Sequence, residues 1–176
     1  SYLAKALAPK PSMPDITSLP GGTTGKLQAG GAIPRAFGVG RYMTAGSLTY
    51  ANTYSSTTAA TSAPIIGFGT AAAGNTPNAY LVQVIALCDL PGPAMVGLFV
   101  NGEAVTYNPA TPAVFEGIPI PEKNKSGKDH LWVKFYDGTQ VAADAALVEL
   151  FGIDPDRPYT SARIGTGVAY AVVTAL

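Results

Sequence analysis

The chain carries its strongest strand signal at Asn78-Ala-Tyr-Leu-Val-Gln-Val-Ile-Ala-Leu-Cys88, a run rich in β-branched, aromatic and aliphatic residues. A nearly continuous apolar run of this length is typical of a strand that is buried on both faces. Asp89-Leu-Pro-Gly-Pro93 then turns the chain. We therefore expect the run from 78 to 88 to be the central strand of the core.

The segments on either side of this run predict further strands. Ala94–Val100 is expected to return antiparallel to it, and Asn101-Gly102 has the composition of a tight hairpin turn. Ser47–Tyr54 and Leu131–Tyr136 alternate as strands do. Gly165–Leu176 reads as an apolar strand that runs to the last residue. A buried-type strand that runs to the last residue indicates either that further sequence follows Leu176 or that its partner strand lies elsewhere.

One helix is predicted, from about 139 to 151. Val141, Ala145 and Val148 form an apolar stripe at helical spacing, and Phe151 lies beside it. Gly152 is suited to a left-handed residue that ends the helix.

The fold class that follows is mainly β (α+β), an antiparallel sheet or sandwich-like domain with this one helix. With 20 glycines and 15 prolines, the composition favours short strands and turns. Residues 1–30 contain several prolines and a glycine-rich link, which predict an extended N-terminal arm. Such an arm either orders along a neighbouring subunit or is a disordered tail. Residues 31–176 are expected to form one domain, incomplete at its C-terminus if the chain is a fragment.

The stretch Gly31-Ala-Ile-Pro-Arg-Ala-Phe-Gly-Val-Gly-Arg41, with Gly46 after it, is a second feature of the sequence. Pro34 has no backbone N–H, which places it at the start or edge of a strand. Gly38, Gly40 and Gly46 permit a positive φ or a close approach of the backbone. Nothing in this stretch has the pattern of a nucleophile, a metal site or a phosphate-binding loop, so we interpret it as a shape-determining element.

This stretch resembles the signature (I/V)-P-x-x-(Y/F)-G-x-x-R-x-x-G near the start of the phage tail-tip family. These are the baseplate-hub and tip-attachment proteins of long-tailed phages and the related gene transfer agents. The residues that match in order are Ile33, Pro34, Phe37, Gly38, Arg41 and Gly46, although Gly46 comes later than the family's usual glycine pair. Two further blocks are similar, one around Val100-Asn-Gly-Glu-Ala-Val105 and one ending in Gly167, Ala169 and Tyr170.

The resemblance implies a structural component of a phage tail tip, made in the host cytoplasm and carried in the virion. It implies a trimer or ring that closes the distal end of the tail tube. The partners would be the distal tail protein and neighbouring hub proteins, with the tape measure protein as a further candidate. The residues matched above, with Tyr170, would serve the local fold or an interface, and Arg41 is a candidate for an ion pair across an interface.

The charge of the chain narrows the classes of partner. Charged residues make up 12% of the sequence, with 11 basic against 11 acidic, so there is no basic footprint for nucleic acid. The sequence has no apolar stretch long enough for a membrane helix, and we expect no stable membrane insertion. Low charge with a slightly positive mean hydropathy favours a surface that other subunits cover, against a small β domain with a bland surface.

The sequence offers few groups for catalysis, so we expect no enzyme activity, no catalytic residues, no cofactor and no metal. Cys88 is the one cysteine and His130 the one histidine, which removes thiolate clusters and the common zinc sites. A carboxylate pair for glycoside cleavage stays open if Asp89, Glu103 and Glu116 converge. The main alternative function is a carbohydrate-binding or host-adhesion module, in which exposed tyrosines stack on glycans.

Overall fold

The computed structural model describes residues 27–29, 37–55 and 78–176. Eight strands and one α-helix are present in these ranges. They are β1 (Gln28–Ala29), β2 (Ser47–Tyr54), β3 (Tyr80–Cys88), β4 (Leu98–Val100), β5 (Glu103–Val105), β6 (Ile118–Pro119), β7 (Leu131–Tyr136), α1 (Ala145–Phe151) and β8 (Ala169–Ala175). A 3-10 helix, Pro121–Lys123, precedes β7.

The strands form a six-stranded sheet and a separate hairpin. The order in the large sheet is β1-β2-β3-β8-β7-β6, and β4 pairs only with β5. All neighbouring strands are antiparallel except β1, which is parallel to β2. The predicted mainly β (α+β) class is therefore confirmed. The sandwich-like part of that prediction is limited to the hairpin, which forms the smaller second sheet.

β8 lies in the middle of the large sheet, although it is the last strand in sequence. Val172 pairs with Val84 on β3 and with Lys134 on β7. Ala169, Tyr170, Ala171 and Val172 are all buried. The sequence left open where the partner strands of β8 lie. They are β3 and β7 of the same chain, so both edges of β8 are paired.

β3 has the central position that its composition predicts, and it begins at Tyr80 rather than at residue 78. Burial alternates along its first half: Val82 and Val84 are buried, whereas Leu81 is 41% exposed. The prediction of burial on both faces is therefore wrong for this half of the strand. The reason is that α1 covers one face here, while the hairpin does not reach over Leu81.

The hairpin has the predicted turn but not the predicted pairing. Asn101 and Gly102 have φ values of 54° and 83°, as a two-residue hairpin turn with two left-handed positions requires. The strand before this turn does not pair with β3, as the sequence suggested, because β2 and β8 occupy both edges of β3. Instead the hairpin packs across the face of the sheet.

The helix begins at Ala145, six residues later than its predicted start. Asp144 caps it, because the carboxylate accepts a hydrogen bond from the Leu147 N–H at 2.9 Å. Val141, which the sequence placed in the apolar stripe, lies before the helix and is 86% exposed. Gly152 has a right-handed conformation, with φ −61° and ψ −29°, so the predicted left-handed stop is also wrong.

The two faces of the sheet carry different cores. The face beneath α1 is largely aromatic, with Tyr54 stacked on Tyr80 at 4.7 Å and Tyr136 stacked on Tyr170 at the same centroid distance. The other face is aliphatic and lies beneath the hairpin. Its buried members are Ile120, Val133 and Ala171, with Leu98 and Val105 from the hairpin among the side chains packed against them.

We expect Leu147→Ala to destabilise the protein by about 2–5 kcal/mol, since it opens a cavity between the helix and the sheet. The matched variant Val141→Ala should change the free energy of unfolding by less than about 0.5 kcal/mol, because Val141 is solvated. Urea denaturation of both variants measures the difference. Similar losses in the two would mean that the helix begins near 139 after all.

Candidate functional site

The motif segment, defined as residues 37–46, lies against the end of β3. Gly46 is buried, has a φ of 72°, and brings its backbone against the carbonyl of Ala86. A Cβ at this position would come within 2.5 Å of that carbonyl oxygen. The close approach and positive φ expected from the sequence are therefore both present at Gly46, and only glycine meets both requirements.

At Gly38 the need for glycine comes from a neighbouring side chain and not from a positive φ. A Cβ on Gly38 would overlap the ring of Tyr42, so the backbone of Gly38 lies directly on that ring. The Tyr42 hydroxyl in turn forms a hydrogen bond with Cys88 at the end of β3. Burial raises the pKa of Tyr42 to about 12, and Cys88 adds to the increase. Tyr42 thus connects the motif segment to the central strand, a role that the sequence did not indicate.

The remaining motif residues divide into those at the surface and those outside the described residues. Phe37 is 69% exposed, its neighbour Val39 is 82% exposed, and Arg41 is exposed. Ile33 and Pro34 lie outside the described residues, so their predicted roles stay predictions. Two large apolar side chains are therefore exposed to water on a segment that packs against the rest of the molecule at Gly38 and Gly46.

Tyr170 is not at the surface, although its backbone pairs with Ala86 on β3, the residue that Gly46 also approaches. It is buried under α1, where its ring stacks on Tyr136 and fills the space against Gly165. Its hydroxyl has no hydrogen-bond partner within the part of the chain that the structure describes. Burial raises the pKa of Tyr170, and the neighbouring Tyr159 and Asp144 raise it further. The structure therefore gives Tyr170 a role in the core, not at an interface.

Asp144 is a structurally important residue that the sequence analysis did not single out. Its carboxylate is buried and accepts hydrogen bonds from Leu147 N–H, from the Tyr136 hydroxyl at 2.6 Å and from Lys134 Nζ at 3.1 Å. Burial raises the pKa of Tyr136, and the bond to Asp144 raises it further. An Asp directly before an apolar helical run is a known N-cap signal, and this signal was available in the sequence.

An open groove of roughly 490 Å³ leads to this carboxylate between α1 and the segment before β6. Its walls are mostly apolar, and the residues that line it include Tyr107, Val114, Phe115, Ile118, Ala145 and Glu149. The polar groups at its base are Lys134, Tyr136 and Asp144, and these bind one another. Because that carboxylate already accepts three hydrogen bonds, the base of the groove serves to attach the helix to the sheet.

The carboxylates considered for glycoside cleavage do not converge. Glu103 on the hairpin pairs with Lys123 at 2.9 Å. Glu116 accepts a hydrogen bond from Tyr54, on the face of the sheet opposite the hairpin. Asp89 follows the far end of β3. The structure therefore does not form a pair of catalytic carboxyl groups from these three residues.

The described residues contain no group of three or more His, Cys, Asp or Glu side chains that could hold a metal ion. His130 lies in the charged turn, where its Nδ1 is 2.8 Å from the carbonyl oxygen of Lys128. No helix within the described ranges is long and apolar enough to cross a membrane.

Five aromatic side chains that a glycan-binding platform would have to draw on lie in the core. Tyr50, Tyr54, Tyr159, Tyr170 and Trp132 are buried. A ring that stacks on a sugar has to present a face to solvent. These five rings are therefore not available for such a platform.

No protein-family model matches the chain, and no curated protein or solved structure matches it.

We predict that Gly46→Ala destabilises the protein more than Gly40→Ala does. Both glycines have a positive φ, which alone costs about 1–2 kcal/mol for alanine. Only at Gly46 does the added Cβ also collide with a backbone carbonyl, because Gly40 has no atom within 4 Å of that position. Chemical denaturation compares the two variants. Equal losses would show that the contact between the motif segment and β3 is not tight.

We predict that Asp144→Ala lowers stability by about 3 kcal/mol, since it removes the cap and leaves the mostly buried Lys134 ammonium unpaired. Adding Lys134→Met should recover part of the loss, because the unpaired charge is then gone. The check is a double-mutant cycle of unfolding free energies. Strict additivity would contradict a direct interaction between the two side chains.

Proposed function

We propose that this chain is a structural component of a phage-like tail tip or baseplate hub, which works by burying its surface against other tail proteins. The observation that carries the proposal is the motif segment, in which Phe37 and Val39 project into water while Gly38 and Gly46 pack against Tyr42 and Ala86. Exposed apolar side chains on a fixed backbone are suited to an interface, because little conformational entropy is lost when they are covered.

The resemblance of the sequence supports the same proposal. Phe37, Gly38, Arg41 and Gly46 match the tail-tip signature in order. Gly38 and Gly46 occupy positions where a Cβ would collide with a neighbour, which explains why a signature would specify glycine there. Arg41, between them in sequence, is exposed. In this proposal the glycines shape the segment, while Phe37 and Arg41 contact a partner.

The proposed partners are the distal tail protein and neighbouring hub proteins, with the tape measure protein as a further candidate. The proposed assembly is a trimer or ring at the distal end of the tail tube, formed in the host cytoplasm and retained in the virion. The work is done by interface burial, so the proposal requires no catalytic residue, cofactor or metal.

The alternative of a glycan-binding module has less support. Because the core rings are buried, a glycan would have to stack on partly exposed rings such as Tyr42 and Tyr107. Tyr42 is covered by Gly38, and Tyr107 packs against the aliphatic core. Both rings therefore have structural contacts already.

The proposal is tested by mixing the purified chain with the distal tail protein of the same phage or element, then measuring mass by light scattering and shape by negative-stain microscopy. We expect a complex of trimeric or ring symmetry. Val39→Glu should weaken it at least about tenfold, because the carboxylate would be buried without a partner. Asn124→Glu is the matched control, because it adds the same charge at an exposed position in the charged turn.

Two results would contradict the proposal. One is a stable monomer that does not bind the tail proteins. The other is a complex that Val39→Glu and Asn124→Glu weaken equally, since the motif segment would then have no special part in it.

A further inference from the structure

We propose that the outer edge of β4 pairs antiparallel with β4 of a second copy of this chain, across a two-fold axis at Phe99. The pairing would join the two hairpins into one four-stranded sheet. It concerns a surface remote in sequence from the motif segment, and it does not rest on the proposed tail function.

The hydrogen-bonding pattern of the hairpin leaves Phe99 unpaired. Val100 pairs with Glu103 around the two-residue turn, so these two residues exchange hydrogen bonds. Phe99 and Ala104 form the next pair, in which the N–H and C=O groups point away from the partner strand. No residue in the described ranges hydrogen-bonds to the outward groups of Phe99.

Side chains occupy backbone groups along β2 and directly after β5. At β5, the outward Thr106 N–H donates to Glu122 Oε1 at 2.9 Å. At β2, Arg157 Nη1 donates to the Ala51 carbonyl at 3.1 Å, and the Thr53 N–H donates to Asn52 Oδ1 at 2.9 Å.

The outer edge of β7 is covered in its first part by β6, which pairs with Trp132 and Val133. Occupied edges of this kind prevent strand addition. Phe99 on β4 has no such contact within the described ranges, whereas the equivalent Ala104 on β5 lies between the charged Glu103 and the capped Thr106 N–H. This difference favours β4 as the edge that accepts a strand.

The composition of the β4 edge suits a second copy in particular. No charged residue occurs between Leu90 and Gly102. At a two-fold axis the residue on the axis meets its own copy, and its neighbours lie close to theirs, so a charge near the axis would face the same charge and oppose the pairing. A neutral strand avoids this penalty, and Phe99 would exchange two hydrogen bonds with Phe99 of the partner subunit.

The side chains on the outer face of the hairpin add apolar area to the same contact. Phe99 is 50% exposed, and Val96 and Ala104 are also exposed. These residues would form one apolar strip across the four strands. The strip is short, so we expect a weak dimer in the class of small, transient interfaces.

A two-fold dimer differs in symmetry from the trimer or ring proposed above, so the two proposals fail separately. Sedimentation equilibrium of the purified chain over a wide concentration range tests the dimer. We expect a reversible monomer–dimer equilibrium. Phe99→Pro should raise the dissociation constant at least about tenfold, because proline removes both the outward N–H and the exposed ring of Phe99 and is tolerated at a strand edge.

Ala104→Pro is the matched control, because it deletes the equivalent outward N–H on the β5 edge; we expect it to dimerise as the unchanged chain does. Phe99→Lys is a second variant that keeps the N–H and instead brings two like charges together at the axis, and it should also dissociate the dimer. A chain that is monomeric at every concentration would overturn the proposal. So would a dimer, or a trimer or ring, that both Phe99 variants leave intact.

Discussion

The structure depends on the insertion of β8 between β3 and β7. These three strands come from residues 80–88, 131–136 and 169–175, and their pairing brings distant parts of the chain together. β8 contributes buried residues to both cores, so neither core is complete without it. Tyr170 and Val172 belong to the aromatic core, and Ala171 belongs to the aliphatic core. Such non-local pairing is slow to form, because the intervening chain has to be ordered first.

Asp144 performs the second essential task, which is to attach the helix to this sheet. A seven-residue helix is unstable in isolation, so it requires tertiary contacts and a cap. The carboxylate supplies both, since it caps Leu147 N–H and also binds Lys134 and Tyr136 on β7. With the helix anchored, Leu147 and Phe151 are pressed onto the tyrosines of the sheet.

The sequence predicted local features better than it predicted neighbours. The bounds of β2 and β7 follow from their alternating patterns, and Gly46 is one of three glycines for which the sequence allowed a positive φ or a close approach of the backbone. The order of the strands could not be read, because an apolar run specifies burial but not which strand lies beside it. The helix start was misplaced because Val141 continued the apolar spacing by chance, while Asp144 carried the true boundary signal. The link from Tyr42 to Cys88 left no local signal, since its two ends are far apart in sequence.

The described strands divide into a centre, where β3 and β8 are paired on both edges, and the hairpin edge at Phe99, which is unpaired within the described ranges. Native-state hydrogen exchange of the purified, dilute chain tests this division most directly. We predict that the amides of Val84 and Val172 exchange only through global unfolding, whereas the Phe99 amide exchanges rapidly. Protection of Phe99 equal to that of Val172 in the dilute chain would contradict the account, because the hairpin edge would then be closed within the molecule itself.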